Sequence, residues 1–425
     1  MSIGIILWDF RGHGVARVVT HLLPIFKRMG IRVVVMTGGK PEDDLFELPL
    51  WVNRVCIGYG KGRQDKLKET LIKNKVEVVV DHEYYAYGRI QEDMRTAREC
   101  GAKFVVHHHN VFSSALVACE RRPLFTRLIK FYSDVDAIIT LSRVDACYFK
   151  VLGCRAFYIQ NPSAICAPEI TASSKSCSDI AWIGRITPIK RLEDAIEIIR
   201  IVLQRFPYAK LHVFGAGGKK YVASIARLVR NDDALSKSVV FEGFIADIEE
   251  RLNSFGLLLM TSAHEGDPCV VVEAKSQGLP VVCYDLPYAE TVRDRGGIVA
   301  VPQMDRQAAA DAVVKLLSNQ KYYQQMSEAA RASYEQMRSY DHEKRYRQFF
   351  DYLKTGIDPE GEPDLEDYRI ALRTLTAHAG AAVDELVSKD YLKRRIWAAI
   401  CLRLSVFMRP FGICKKICRQ IRSKR

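Results

Sequence analysis

With 425 residues, 48% of them hydrophobic, the chain is long enough for two or three domains with cores of their own. The formal charge of +13 is unevenly spread: residues 389–425 hold twelve Lys/Arg and one acid, a net of +11, which leaves +2 for everything before them. The twelve cysteines show no Cys-x-x-Cys and no zinc spacing, which argues against a disulfide framework or a zinc module. They read as small buried hydrophobes of a reducing compartment, Cys269 and Cys283 among them. No run approaches the roughly 20 apolar residues of a membrane-spanning helix. Met1-Ser2 opens directly into Ile3–Leu7 without a basic lead or cleavage site, so a cytosolic chain is expected.

In chain order, β-rich runs are predicted at Ile3–Trp8, Arg32–Thr37, Val76–Asp81, Lys103–His109, Ala137–Leu141 and Ala156–Gln160. Amphipathic stretches at Val15–Met29, Arg89–Cys100 and Leu124–Tyr132 lie between them. Apolar strands alternating with helices predict a parallel sheet covered on both faces. Asn161–Ser178, rich in Pro, Ala and Ser, reads as an interdomain linker. The alternation then restarts, with strands at Ile180–Ile183, Leu211–Phe214, Val239–Glu242, Gly256–Thr261, Pro280–Tyr284 and Ile298–Val301. Helices fit Leu192–Gln204, Lys219–Arg230, Ile248–Asn253, Cys269–Gln277 and Arg306–Leu317, followed by a helical stretch from Lys321 to Leu353. An acidic, Pro/Gly-rich linker, Gly356–Asp367, precedes a helical tail. The expected class is α/β, with two doubly wound, Rossmann-like domains facing a cleft, at 1–163 and 178–338. A crossover helix and acidic linker follow at 339–388 and a basic amphipathic tail at 389–425. Ligands belong at the carboxyl ends of the strands.

The motifs cluster at those ends. Glu265-Gly266-Asp267-Pro268-Cys269-Val270-Val271-Val272-Glu273 lies between a strand and a helix that Pro268 can open. Free N–H groups at such a helix start suit a phosphate. Two carboxylates beside an anion site need hydrogen-bonding partners, and sugar or ribose hydroxyls are natural ones. An ordinary helix start with solvated carboxylates is the bland alternative. In Gly184-Arg185-Ile186-Thr187-Pro188-Ile189-Lys190, Arg185 and Lys190 can converge on one dianionic group. Fixed cations there stabilise charge that develops as a diphosphate departs. Gly215-Ala216-Gly217-Gly218 ends another strand with glycines that permit close backbone approach, or only a turn. Gly12-His13-Gly14-Val15-Ala16-Arg17 opens the first helix but is no dinucleotide fingerprint, since Arg17 stands where the last glycine would be. In His107-His108-His109-Asn110, alternation points His107 and His109 to one side and His108 to the other. Neighbours on one strand do not converge on a metal, and no carboxylate or Cys pair completes a set, so none is expected.

The spacing of Glu265 and Glu273, with Gly266 and Pro268 between them and Gly278-Leu279-Pro280-Val281 after, resembles the donor-site motif of family-four glycosyltransferases (glycosyltransferase group 1). That resemblance covers roughly residues 1–355 and implies a GT-B fold, a nucleotide-sugar donor, retention of configuration and no metal cofactor. It implies that Glu265 contacts the transferred sugar and Glu273 the ribose, with the backbone of Gly266, Pro268, Cys269 and Val270 at the diphosphate and sugar. Arg185 and Lys190 match the family's Gly-Arg-x4-Lys element at the donor phosphates. Gly14 matches its Gly-x-x-Arg start, Gly215 and Gly217 lie beside the nucleotide, and Phe244 lies near the base. A histidine next to the sugar is implied at His109, with His107 as the alternate. The family often has an aromatic residue where Asp267 stands, which leaves the sugar open.

The tail carries Lys393-Arg394-Arg395, Trp397, Ile400, Leu404, Phe407, Phe411, Ile413, Ile417 and Ile421 at recurring three- and four-residue spacings broken by Pro410. Basic residues with large apolar ones resemble an amphipathic helix pair on an anionic membrane, and speak against nucleic acid. A helix docked on the protein itself is the alternative. The expected partners are therefore a nucleotide-sugar, a lipid-linked or glycan acceptor and an inner membrane surface. A sugar-nucleotide epimerase on the same fold, or a non-catalytic membrane-bound partner of a polysaccharide assembly complex, would carry much of the same pattern.

Overall fold

The computed structural model describes residues 1–11, 14–82, 87–114, 125–162, 178–245, 248–359, 361 and 363–387. The first sheet has seven strands: β1 (Ser2–Leu7), β2 (Arg32–Thr37), β3 (Asn53–Cys56), β4 (Val78–Asp81), β5 (Lys103–His108), β6 (Ala137–Thr140) and β7 (Ala156–Tyr158). Their order is β3-β2-β1-β4-β5-β6-β7 and every pairing is parallel. The second sheet has six: β8 (Ile180–Ile183), β9 (Leu211–Phe214), β10 (Val239–Gly243), β11 (Leu257–Met260), β12 (Val281–Tyr284) and β13 (Ile298–Val301), in the order β10-β9-β8-β11-β12-β13. All of its pairings are parallel too.

Buried runs such as Ser2–Leu7 explain the parallel arrangement, because strands covered on both faces have no room for alternating polar residues. The winding reverses between β1 and β4 in one sheet and between β8 and β11 in the other. A reversal leaves a crevice beyond the strand ends, and both crevices receive the loops that carry the motifs.

Two core clusters back the two sheets. One joins β8, β9, β11 and β12 to the helices Leu192–Val202 and Arg306–Ser318. The other includes Phe26 and Phe157 together with Tyr346, Phe349, Phe350, Tyr352 and Leu353 from the helix His342–Thr355. The chain therefore returns to the first sheet after completing the second. Phe26 meets Tyr346 edge-on at 4.9 Å and Phe157 lies 5.5 Å from Phe349. Each such ring contributes about 1.5–3 kcal/mol by leaving water, so the returning helix is held firmly.

The helical stretch expected from Lys321 to Leu353 is two helices, Gln320–Arg338 and His342–Thr355. The break falls where the Asp341 side chain caps the second by accepting from the Lys344 N–H. The edge strand β3 was not expected, because Asn53 and Arg54 interrupt its pattern. The last helix, Leu365–Val387, starts inside the predicted acidic linker.

The chain divides into two compact units, residues 1–112 with 126–372, and residues 113–125 with 373–425. The described part of the second unit is chiefly the helical stretch 373–387. Most of the expected linker 161–178 and the whole basic tail 389–425 lie outside the described residues. Among the described residues no helix is long and apolar enough to cross a membrane.

Candidate active site

The loops after β8 and β11 are laced together, and this lacing positions the cationic side chain between them. The buried Trp182 indole N–H donates to Thr261 Oγ1 at 3.1 Å. That hydroxyl lies 2.9 Å from the carbonyls of Lys190 and Arg191. The Ala263 N–H donates to the Ile189 carbonyl at 2.8 Å. Arg191 takes a left-handed conformation, φ 47°, which turns the short 3-10 segment Pro188–Lys190 into the helix Leu192–Val202. The result is an ion pair between Lys190 Nζ and Glu265, both largely shielded from water.

The glycines of the neighbouring turn serve this lacing. A Cβ on Gly215, whose φ is +144°, would run into the Gly184 carbonyl, and one on Gly217 into the Ile186 carbonyl. The Ile186 N–H donates to the Ala216 carbonyl at 2.8 Å, so two loops run side by side at backbone distance. Sequence reasoning left the freedom of Gly215 and Gly217 to a ligand's approach or to a plain turn. In the structure their bare faces are filled by the loop that presents the exposed Arg185.

The helix Cys269–Ser276 starts from Pro268, which stands at its N-cap rather than its first turn. Its C-terminal end is anchored by the fully buried Lys275, whose Nζ donates to the Thr291 carbonyl at 2.8 Å, to Ser333 Oγ at 2.9 Å and to Asp294 at 2.6 Å. Cys269 and Val270 are half-buried in the first turn, and burial pushes the Cys269 thiol up to about 12, so it is not a thiolate. Glu273, one turn on, is buried and pairs with Arg17 from the first domain's helix Gly14–Arg28. Gly14 heads that helix, exposed, with open space around its Cα. Phe244 is exposed just past β10.

The two domains meet at Gly266. A Cβ there would stand 2.5 Å from the His109 carbonyl oxygen and 3.0 Å from the Asn110 Cα. The loop bearing Glu265 therefore lies directly on the end of β5. His109 is half-buried at this contact. His107 stacks on it at 4.2 Å, while His108 points the other way, into an edge-on cluster with Tyr132 and Phe149. Burial lowers His108 to about 4, which keeps this core imidazole neutral.

Two partners escaped sequence reasoning. Arg17 was noticed as a missing glycine and as the arginine of the Gly-x-x-Arg start, and it is the counter-charge of Glu273. His82, one residue beyond β4, places Nδ1 2.7 Å from His109 Nε2 and its ring 4.8 Å from that of His107. The expectation that the histidines share no focus considered one strand at a time. His107 and His109 lie on one face, and the adjacent strand end supplies a third ring.

Asp267, where the family often has an aromatic residue, is buried, and its carboxyl is raised to about 7 by burial, with Glu290 adding to the effect. Asp145 is raised to about 7 in the same way. A raised carboxyl holds a proton in the fold that the unfolded chain has released, so its stability contribution is present below about pH 4 and lost as pH rises through about 7. The double variant Asp145→Asn, Asp267→Asn is therefore expected to flatten the fall in Tm between pH 5 and pH 8, with its gain at the alkaline end. Parallel Tm curves for the variant and the parent would refute the assignment.

Residues 177–319 match the family model described as glycosyl transferases group 1. The poly(ribitol-phosphate) alpha-N-acetylglucosaminyltransferase of Staphylococcus aureus is 27% identical over 142 residues, 33% of this chain and 28% of that protein. The poly(glycerol-phosphate) alpha-glucosyltransferase of Bacillus subtilis is 28% identical over 150 residues, 35% of this chain and 22% of its own length. The chain thus spans about a quarter of the length of these relatives. A mutant of S. aureus TarM, solved with Fondaparinux, alpha-GlcNAc-glycerol and UDP, superposes with a TM-score of 0.70 at 12% identity, over 83% of this chain and 100% of that one. Two doubly wound parallel sheets and the superposition on TarM show the GT-B fold, and residues 177–319, which hold the second sheet, are similar to the group 1 glycosyl transferases.

Proposed function

We propose that the protein transfers a sugar from a UDP-sugar to a glycan acceptor at a membrane surface, with retention of configuration, in the synthesis of a cell-surface polymer. The observation that carries this reading is the Gly266 contact, which sets Glu265, Lys190 and Glu273 at the second sheet's switch point against His109 of the first. In the reaction, the bond between the sugar's anomeric carbon and the diphosphate oxygen breaks. A bond from that carbon to an acceptor hydroxyl oxygen forms, and the hydroxyl proton leaves with UDP.

Arg185 and Lys190 would hold the diphosphate as it gains charge. Glu273 would exchange Arg17 for the ribose hydroxyls. Glu265 would face the sugar, and His109 would hydrogen-bond one of its hydroxyls. Transfer would proceed without a metal. Retention is favoured by the relatives' names: both carry "alpha", the configuration in which such sugars are linked to UDP. Relatives named for ribitol- and glycerol-phosphate polymers favour a phosphate-rich polymer as acceptor. The basic residues 389–425 would hold the chain on the inner face of the membrane.

Thermal-shift titration with UDP, UDP-glucose, UDP-N-acetylglucosamine, GDP and ADP tests the donor assignment. Uridine nucleotides should raise Tm, and Lys190→Ala should weaken that shift. No response to any nucleotide would sink the reading.

A further inference from the structure

Where β4 and β5 end side by side, three imidazoles converge. The register pairs Asp81 with Val106, so the next residues, His82 and His107, are neighbours, and strand alternation brings His109 to the same face. The rings of His82, His107 and His109 are stacked or tilted against one another with centroids 4.2–4.9 Å apart. One nitrogen from each ring lies within 4.8 Å of the others.

His107 is 1% exposed and His82 3%. Neither ring nitrogen of His107, nor Nε2 of His82, has a hydrogen-bond partner among the described residues. Buried polar atoms nearly always have partners, so three orphaned nitrogens on two adjacent buried rings are a deficit that needs an explanation. An apolar core would be filled more simply by apolar side chains.

We propose that His82, His107 and His109 form a binding site for a single transition-metal ion of the Zn2+ class. Imidazole nitrogens alone, without an oxygen cage, suit Zn2+, Co2+ or Ni2+ and do not suit Mg2+ or Ca2+. Tetrahedral coordination at about 2.0–2.1 Å sets ligand nitrogens about 3.3 Å apart, so the ion would replace the 2.7 Å hydrogen bond between His82 Nδ1 and His109 Nε2 and draw in nitrogens that now lie within 4.8 Å of one another. The half-buried His109 gives the ion its way in from the cleft and leaves a fourth position for water. Because the ion takes the nitrogen that His109 would offer a sugar hydroxyl, occupancy blocks sugar transfer reversibly. This consequence, unlike the site itself, rests on the proposed function.

Titration of the full-length, reduced protein with Co2+ tests the site. The expected result is one equivalent per chain, with visible d–d bands of four-coordinate intensity and no cobalt–thiolate charge transfer in the near-ultraviolet. Zn2+ should displace the cobalt and Mg2+ should not. His82→Gln and His107→Gln should each weaken binding by about 100-fold or more, their folding checked by circular dichroism. Should one of them fail to fold, the other together with His109→Gln carries the comparison. Thiolate bands, substoichiometric binding, or unchanged affinity in the folded variants would overturn the proposal. Zn2+ should also slow transfer until a chelator is added. Binding at these imidazoles that leaves transfer untouched would keep the site and remove His109 from the sugar.

Discussion

Glu265→Gln is expected to lower the turnover of sugar transfer by about 10²–10³-fold while leaving uridine-nucleotide affinity intact or improved. The substitution keeps shape and removes charge. Glu265 sits in a loop whose backbone is fixed independently of its side chain. Its own N–H donates to the Tyr288 hydroxyl at 3.3 Å, and Ala263 is bonded to Ile189 at 2.8 Å. The loop should therefore stay in place. What changes is Lys190, which loses the carboxylate that now occupies it. A largely shielded ammonium without its partner attracts the donor's phosphates more strongly, so KM for the donor should not rise. Loss confined to kcat marks an interaction made in the transition state and not in the ground state. Unchanged kcat, or a fall in kcat matched by a rise in KM, would remove Glu265 from the reacting sugar. Glu265→Ala is less informative, because it also leaves a void beside Lys190.

Much of the fold was legible because parallel strands buried on both faces leave continuous apolar runs, as at Ser2–Leu7 and Val281–Tyr284. The element least visible was β3, an edge strand whose residues are half-exposed and mixed in polarity. The helix Arg143–Val151 carries a local signal that went unused: Ser142 Oγ accepts from the Asp145 N–H, a three-residue spacing. The individual site motifs were legible for a different reason. Each lies in the turn that follows a strand, and a glycine or proline there stands out from the apolar run.

Their pairings were not legible. Lys190 and Glu265 are 75 residues apart and Arg17 and Glu273 are 256 apart. Such contacts depend on strand order and on how two domains meet, and neither quantity is encoded in a local window. Strand order decides the histidine cluster as well. His82 joins His107 and His109 only because β4 and β5 are adjacent in the sheet. Strand order acts at Gly215 and Gly217 too, where the loop alongside occupies the space their missing side chains leave.

Gly266→Ala is expected to cut transfer by about 100-fold or more while UDP binding to the second domain survives. No φ in the left-handed region is involved at this position, so the steric contact alone decides. The new methyl would lie 2.5 Å from the His109 carbonyl oxygen, 2.8 Å from its carbon and 3.0 Å from the Asn110 Cα. All three are backbone atoms of a strand end, which cannot rotate aside as a side chain would. Normal carbon–oxygen contact begins at about 3.3 Å, so the surfaces must part by nearly an ångström. The second-domain side of the contact resists movement, because Lys275 ties its helix to three partners and Glu265 is tied to Tyr288. The β5 side resists as well, being an interior strand between β4 and β6. The displacement must then appear as separation of Glu265 from His109, the distance that the proposed chemistry needs to be short. Gly218→Ala supplies the control: its Cβ meets nothing within 4 Å and its φ is −63°, so activity should stay within about twofold of the parent. A Gly266→Ala enzyme with parental turnover would mean that this contact is not the one made during catalysis, and that the domains come together along a different edge.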